Sequence, residues 1–157
     1  MREILSRAKR KDNGEWVEGF YSQLPKPSLG ATIITNGDLC AEDVSDYIIV
    51  NESKQHSNFS DAYPIEVVEC EYYEIDSETL CQYTGLTDKN GNRIWENNIV
   101  RIKNSMDEGI GNIEFYGGMW YVDGEPSNSL HDIVEYDDGE LEVIGNIFDT
   151  PELLKGE

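Results

Sequence analysis

The sequence predicts a mainly β protein (a β-rich α+β chain) of short antiparallel strands in two small lobes. The C-terminal lobe is expected to be an SH3-like barrel, closed by a short C-terminal helix. Three observations carry this expectation. β-Branched and aromatic residues come in short runs, such as Tyr47-Ile48-Ile49-Val50 and Ile99-Val100-Arg101-Ile102. Pairs that favour tight turns, Asn13-Gly14, Asn90-Gly91 and Gly117-Gly118, punctuate those runs. A helix start is signalled at Thr150-Pro151, where Thr caps and Pro takes the first helical position.

The elements follow in order. Glu15 to Tyr21 alternates loosely after the turn Asp12-Asn13-Gly14, so a first hairpin is expected. Leu24 to Gly30 reads as a loop, because its prolines remove ladder donors. Thr32–Thr35 and Tyr47–Val50 read as strands, separated by the Asn36-Gly37-Asp38 turn and an acidic stretch. Asn51 to Ala62 is polar, with Ser53, Ser57, Asn58 and Ser60, and reads as a surface loop. Pro64 opens a strand over Ile65–Tyr73. Asp76–Leu80 is expected to be a turn, or one turn of helix, at the junction between lobes 1–80 and 81–157; the alternative is one domain over 1–157.

The second half carries denser signals. A strand at Gln82–Leu86 leads into the turn Asp88–Asn92, and Ile94-Trp95 precedes a bend at Asn97-Asn98 and the strand Ile99–Ile102. Gly111–Tyr116 and Met119–Val122 make a hairpin through Gly117-Gly118. Ile133–Tyr136 and Leu141–Phe148 are expected to make another through Asp137-Asp138-Gly139. In the closing helix, Leu153 and Leu154 are placed to dock on the barrel. The segment Trp95–Ile102 resembles the diverging turn and first strand of SH3-like barrels, a fold that usually serves as a binding module.

Charge narrows the function classes. The 157 residues carry 32 acidic and 12 basic side chains, a net charge of −20. Such a chain is not drawn to bare DNA or an anionic membrane by its average field, so nucleic acid and membrane are not expected as partners. The opening residues lack the apolar core of a signal peptide, and no apolar run is long enough to span a bilayer. A cytoplasmic protein of a bacterial host is expected. By segment, residues 1–11 carry +4, 12–81 carry −13, 82–103 carry +2 and 104–157 carry −13. The basic zones are the arm Arg2, Arg7, Lys9, Arg10, Lys11 and the set Lys89, Arg93, Arg101, Lys103. The second set is the candidate binding face, for a phosphate above all. The competing reading is that these cations neutralise the acidic body from within.

Cys40, Cys70 and Cys81 form no C-x-x-C, and His56 and His131 stand far apart, so no metal site or cofactor is expected. Neither G-x-S-x-G, H-E-x-x-H nor a dinucleotide fingerprint is present, and no catalytic residue is assigned. With 32 acids, neighbouring carboxylates such as Asp107-Glu108 or Asp137-Asp138 carry no information about acid–base chemistry.

The run Gln82-Tyr83-Thr84-Gly85-Leu86-Thr87-Asp88-Lys89-Asn90-Gly91-Asn92-Arg93-Ile94-Trp95-Glu96 resembles the hallmark of the YopX family of phage and prophage proteins, Q-Y-T-G-L-x-D-K-N-G followed by I-x-E-G-D-I-V. Arg2-Glu3-Ile4 with Arg7-Ala8 is similar to the family's opening, and Glu142 to Phe148 with Pro151-Glu152-Leu153-Leu154 to its close. Five positions depart: Asn97-Asn98 replace Gly-Asp, Ser6 and Lys9 replace an aromatic and Trp, and Cys81 stands where Gly is common. The missing Asp argues against a catalytic carboxylate there. Within the hallmark, Gly85, Asn90 and Gly91 are expected to satisfy turn dihedrals, and Tyr83, Leu86, Ile94 and Trp95 to pack a core. Gln82, Thr84, Asp88, Gly145 and Asn146 are likewise read as structural, the last two as a bulge or side-chain hydrogen bond.

The resemblance implies a phage or prophage context without assigning a chemistry. The leading expectation is a non-enzymatic accessory protein acting by protein binding or self-association, as a homo-oligomer or on a basic host or phage protein. Exposed aromatics among Tyr72, Tyr73, Tyr116, Trp120 and Tyr121 would suit such a partner. The alternatives are an acidic nucleic-acid mimic that inhibits a basic host enzyme, and a small nucleic-acid- or nucleotide-binding enzyme.

Overall fold

The structure, a computed structural model, describes residues 4–25, 44–56, 65–103, 108–123, 129–135 and 140–155. Nine strands are described: β1 Ser6–Arg10, β2 Trp16–Pro25, β3 Val44–His56, β4 Ile65–Thr87, β5 Arg93–Trp95, β6 Asn98–Lys103, β7 Glu108–Tyr116, β8 Met119–Val122 and β9 Glu140–Asn146. One α-helix, α1 Leu130–Glu135, and a 3-10 helix, Pro151–Leu154, complete the described elements. The protein is mainly β, and its strands pair antiparallel. It forms two compact units, Leu5–Leu80 and Cys81–Glu157 with Met1–Ile4. The long strand β4 supplies residues to both.

In the Leu5–Leu80 unit the strands run in the order β1-β2-β3-β4, and β4 pairs back to β1, so the ring closes on itself. Its core is Ala8, Ile48 and Ile75, all fully buried, with Val17, Val50 and Leu80 packed around them. The β1–β2 hairpin turns at Asn13-Gly14, where Gly14 N–H donates to Arg10 O at 2.9 Å. The strand expected over 32–35 lies outside the described residues.

Three expectations for this half are corrected. Leu24 and Pro25 end β2, paired with Ser45 and Val44, and the rest of the loop expected over 24–30 lies outside the described residues. Asn51–His56 is strand, not loop: β3 continues to His56, which pairs with Ile65, and Asn51 pairs with Cys70. Polar residues extend a strand where the partner is β-prone, and Ile65, Val67 and Val68 supply that partner. The remainder of that expected loop lies outside the described residues. Asp76–Leu80 is also strand, inside β4. Alternate residues Thr79, Cys81 and Tyr83 are buried, a period of two that holds the chain extended. The turn chemistry read there survives only as local bonds, Glu78 N–H to Asp76 Oδ1 and Thr79 Oγ1 to Asp76 O.

The Cys81–Glu157 unit, where the barrel was expected, carries a four-stranded sheet in the order β8-β7-β6-β9 together with the β4–β5 hairpin. Ile94, Val100, Ile113, Val122, Leu130, Ile133 and Leu141 form its core. The β7–β8 hairpin turns at Gly117-Gly118 as predicted, with φ of 58° and 90°, and pairs Tyr116 with Met119. Leu130–Glu135, by contrast, is helical where a strand over Ile133–Tyr136 was expected. Leu130 and Ile133, three apart, both enter the core, and an α-helix puts i and i+3 on one face. Tyr136 and the expected Asp137–Gly139 turn lie outside the described residues. The closing helix is of the 3-10 type with Pro151 in its first turn, and Thr150 does not cap it with its side chain. Leu153 is half-buried and Leu154 is exposed, so only the former docks.

Leu130→Ala is expected to cost about 2–5 kcal/mol, the range for truncating a buried leucine. Urea denaturation would measure it, with exposed Asp132→Ala as the near-neutral control.

Candidate functional site

The turn after β4 is organised by one carboxylate. Asp88, 6% exposed, accepts at Oδ1 from Asn90 N–H at 2.9 Å and Asn92 N–H at 2.8 Å. At Oδ2 it accepts from Asn92 Nδ2 and from Val143 N–H on β9, each at 3.1 Å. Burial pushes this carboxyl up, yet the bonds from Asn92, Val143 and Asn90 outweigh it and hold Asp88 below its ordinary value. Lys89 N–H adds a second tie to β9 by donating to Leu141 O at 3.0 Å.

The other end of the β5 hairpin is fixed by a neutral side chain. Asn98, 2% exposed, accepts from Trp95 N–H at 2.9 Å and donates through Nδ2 to Gly145 O at 3.1 Å. Asn97 before it takes φ of 62°. An Asp at position 98 would keep the first bond and lose the second, because a carboxylate does not donate. Gly145 is tightly crowded: a Cβ there would meet Thr150 Oγ1 and Leu153 Cδ1, so both side chains would have to shift. Asn146 folds the following turn, accepting at Oδ1 from Phe148 N–H at 3.0 Å and Asp149 N–H at 2.9 Å. Within the hallmark, Gly85 and Gly91 have φ of 89° and 84°. Tyr83 packs on Trp95 with ring centroids 5.3 Å apart, and Thr84 Oγ1 donates to Ile94 O at 2.8 Å.

The four candidate cations are placed among acids and aromatics. Lys89 Nζ lies 3.2 Å from Glu140 and 3.3 Å from Glu142, which raise its pKa. Arg101 lies 3.8 Å from both Glu108 and Glu142. Glu142 thus brings Lys89 and Arg101 together. Lys103 faces Glu108 and Glu140 in the strand register. Arg93 places its guanidinium 5.5 Å from the Tyr83 ring. In the basic arm, Lys11 pairs with Glu74 at 2.9 Å and Arg7 lies 4.7 Å above Trp16. Among the described residues no group of three or more His, Cys, Asp or Glu is arranged to hold a metal ion. Nor is any described helix long and apolar enough to cross a membrane.

Beside the hallmark strand lies a hollow of about 370 Å³, lined by Gln82, Thr84 and Leu86 from β4, by Phe115, Gly118, Met119 and Trp120 from the β7–β8 hairpin, and by Ser129, Leu130 and His131. Phe115 and Trp120 form a tilted pair with centroids 4.8 Å apart. Phe115 is 54% exposed, Tyr116 67% and Met119 44%. The three groups of lining residues come from well-separated stretches of the chain. Tyr116 and Trp120 stand out in the sequence as aromatics of a strand pattern, whereas Ser129 and His131 belong to no motif there.

A family model described as YopX protein matches residues 6–155. The chain belongs to the YopX family. Its fold is also similar to a crystal structure of protein EF1440 from Enterococcus faecalis, with a TM-score of 0.57 at 20% identity, over 98% of this chain and 99% of that one. Nothing among curated proteins matches. In this YopX member the hallmark divides by strand parity. Gln82, Thr84 and Leu86 line the hollow, and Tyr83 turns to Trp95.

Asp88→Asn is expected to cost about 1–3 kcal/mol at neutral pH, since one oxygen replaces two acceptors. A folded pKa below the ordinary 3.8 means the charge-linked stability is complete above 3.8 and is lost as pH falls through the lower folded value. Urea melts at pH 7 and pH 3 should therefore show the gap between wild type and variant narrowing in acid.

Proposed function

We propose that this YopX family member is a non-enzymatic accessory protein of a phage or prophage that works by binding another protein. The observation that carries the reading is the apolar tip of the β7–β8 hairpin. Phe115, Tyr116 and Met119 are each exposed beside the Gly117-Gly118 turn, with Phe115 paired to Trp120 and Tyr116 to Met119 across the hairpin. Aromatic and methionine side chains are enriched at the centres of protein interfaces. A net charge of −20 selects partners with basic surfaces and speeds their encounter. The cations that would serve a phosphate site already lie against carboxylates, which supports protein rather than nucleotide as the ligand.

Charge alone favours a second reading, an acidic mimic that fills the basic site of a nucleic-acid enzyme. Salt separates the two. Binding through the hairpin retains its partner at moderate salt, and a mimic releases it steeply.

The test is tagged capture from nuclease-treated bacterial lysate, at low and moderate salt, with wild type and the double variant Phe115→Ser, Tyr116→Ser. A partner held at moderate salt by wild type and reduced about ten-fold or more by the variant is expected. Tyr72→Ser, at another exposed aromatic, should leave capture unchanged. Turnover of a substrate that vanished on changing one buried acid would count decisively against the proposal.

A further inference from the structure

The outer face of strands β7, β6 and β9 sets charges of both signs around an apolar hollow. Val100, Ile113 and Leu141 turn into the core, so the alternate residues of these strands face the other way. By register, Ile110, Arg101 and Glu142 form one cross-strand row on that outer face, and Glu108, Lys103 and Glu140 form the next. Lys89 Nζ reaches the same face at Glu140 and Glu142. Beside the first row lies a hollow of about 500 Å³, to which the 3-10 helix contributes Leu153 and Leu154. Ile110 is 44% exposed and Leu154 39%.

The formal charges of this face balance, with Lys89, Arg101 and Lys103 set against Glu108, Glu140 and Glu142. The net charge of −20 therefore lies elsewhere on the chain. That balance selects the occupant. A strongly basic protein, attracted by the rest of the chain, would meet three cations here. A strongly acidic one is repelled by the chain as a whole. A second copy presents the same balanced set, so a cation of each face can meet a carboxylate of the other. A two-fold contact makes such pairs reciprocal and closes without growing into a fibre. Arg101 is placed for the exchange, because within one chain it lies 3.8 Å from both Glu108 and Glu142, near the outer limit of an ion pair.

We propose that two copies of this chain associate through the outer faces of β7, β6 and β9. Ile110 and Leu154 of the two copies meet over the hollows, and Arg101 of each copy stands against Glu108 of the other. This contact goes beyond the binding of another protein proposed above, which uses the hairpin tip.

The test is sedimentation equilibrium of the full chain over a dilution series in about 0.15 M salt, where long-range repulsion between the copies is screened. Wild type is expected to move from the 17.8 kDa of one chain towards twice that mass as concentration rises. Leu154→Ser and Ile110→Ser should each weaken association about ten-fold or more, through the apolar contact they remove. Arg101→Glu alone and Glu108→Arg alone should weaken it as much, since each sets like charges opposite one another. An equimolar mixture of those two variants should recover a dimer near wild-type affinity, because every contact between positions 101 and 108 of unlike copies then joins opposite charges. A role confined to one chain cannot produce that recovery. Urea midpoints verify that each variant is folded, and Leu154→Ser, on the exposed 3-10 helix, carries the test if a strand variant is not. The double variant Phe115→Ser, Tyr116→Ser should leave self-association unchanged. The proposal is overturned if wild type stays a single chain at every concentration, if Leu154→Ser associates as wild type does, or if the mixture of folded charge variants keeps the mass of one chain. Loss of the dimer in the hairpin-tip variant would overturn it too. Failure of the lysate capture concerns the hairpin tip alone, so the two readings fail separately.

Discussion

A single ionised carboxylate sets the geometry of the C-terminal unit. Asp88 gathers two backbone N–H groups of its own turn, the Asn92 amide and the N–H of Val143 on β9. Only an acceptor with two oxygens and several lone pairs can serve all of these at once. Closing the turn and tying it to β9 are therefore one event. Asn98 plays the complementary part at the far end of β5, where the tie needs one acceptor and one donor, and an amide supplies both. Between these two side chains the β4–β5 hairpin is held against β9, so Tyr83, Ile94 and Trp95 face inward and Gln82, Thr84 and Leu86 line the hollow.

The acidic excess is managed in the same place. Lys89, Arg101 and Lys103 stand opposite or beside Glu108, Glu140 and Glu142, where unrelieved repulsion across β7, β6 and β9 would oppose pairing. These pairs are exposed and each contributes little to stability. Their consequence is a matter of availability. A phosphate approaching Lys89 would have to displace two carboxylates from its ammonium, and would meet the field of a −20 chain while doing so.

What the sequence revealed of this fold was local. Asn13-Gly14, Asn90-Gly91 and Gly117-Gly118 each specify a turn through a few neighbouring dihedrals, and the hairpins around them follow. The errors share a physical origin in distant partners. Asn51–His56 is polar enough to read as loop, and it is a strand because Ile65–Cys70 lies alongside it. Leu130 and Ile133 make too short a pattern to distinguish helix from strand, and the core they enter decides the matter. Gly145 can be suspected of structural necessity from sequence, but its crowding by Thr150 and Leu153 depends on the turn at Asn146. The hollow is least legible, since Gln82, Phe115 and Ser129 share no sequence neighbourhood and an unsatisfied hydroxyl leaves no mark in a sequence.

The division of the hallmark by strand parity bears on how a motif should be interpreted. A run such as Gln82 to Leu86 looks like one unit, and from sequence alone all of it reads as structural. In a strand, however, neighbours face opposite ways, so one run serves two environments. Tyr83 works in the core, packed on Trp95. Thr84 has work inside the protein as well, since its hydroxyl donates to Ile94 O and accepts from Leu86 N–H. Core packing explains the need for Tyr83, and backbone bonding explains Thr84. Neither explains why Gln82, which is exposed, belongs to the same hallmark. Its position in the lining of the hollow gives that residue a reason to be polar, and it is a reason that concerns what comes to the surface rather than what holds the strand.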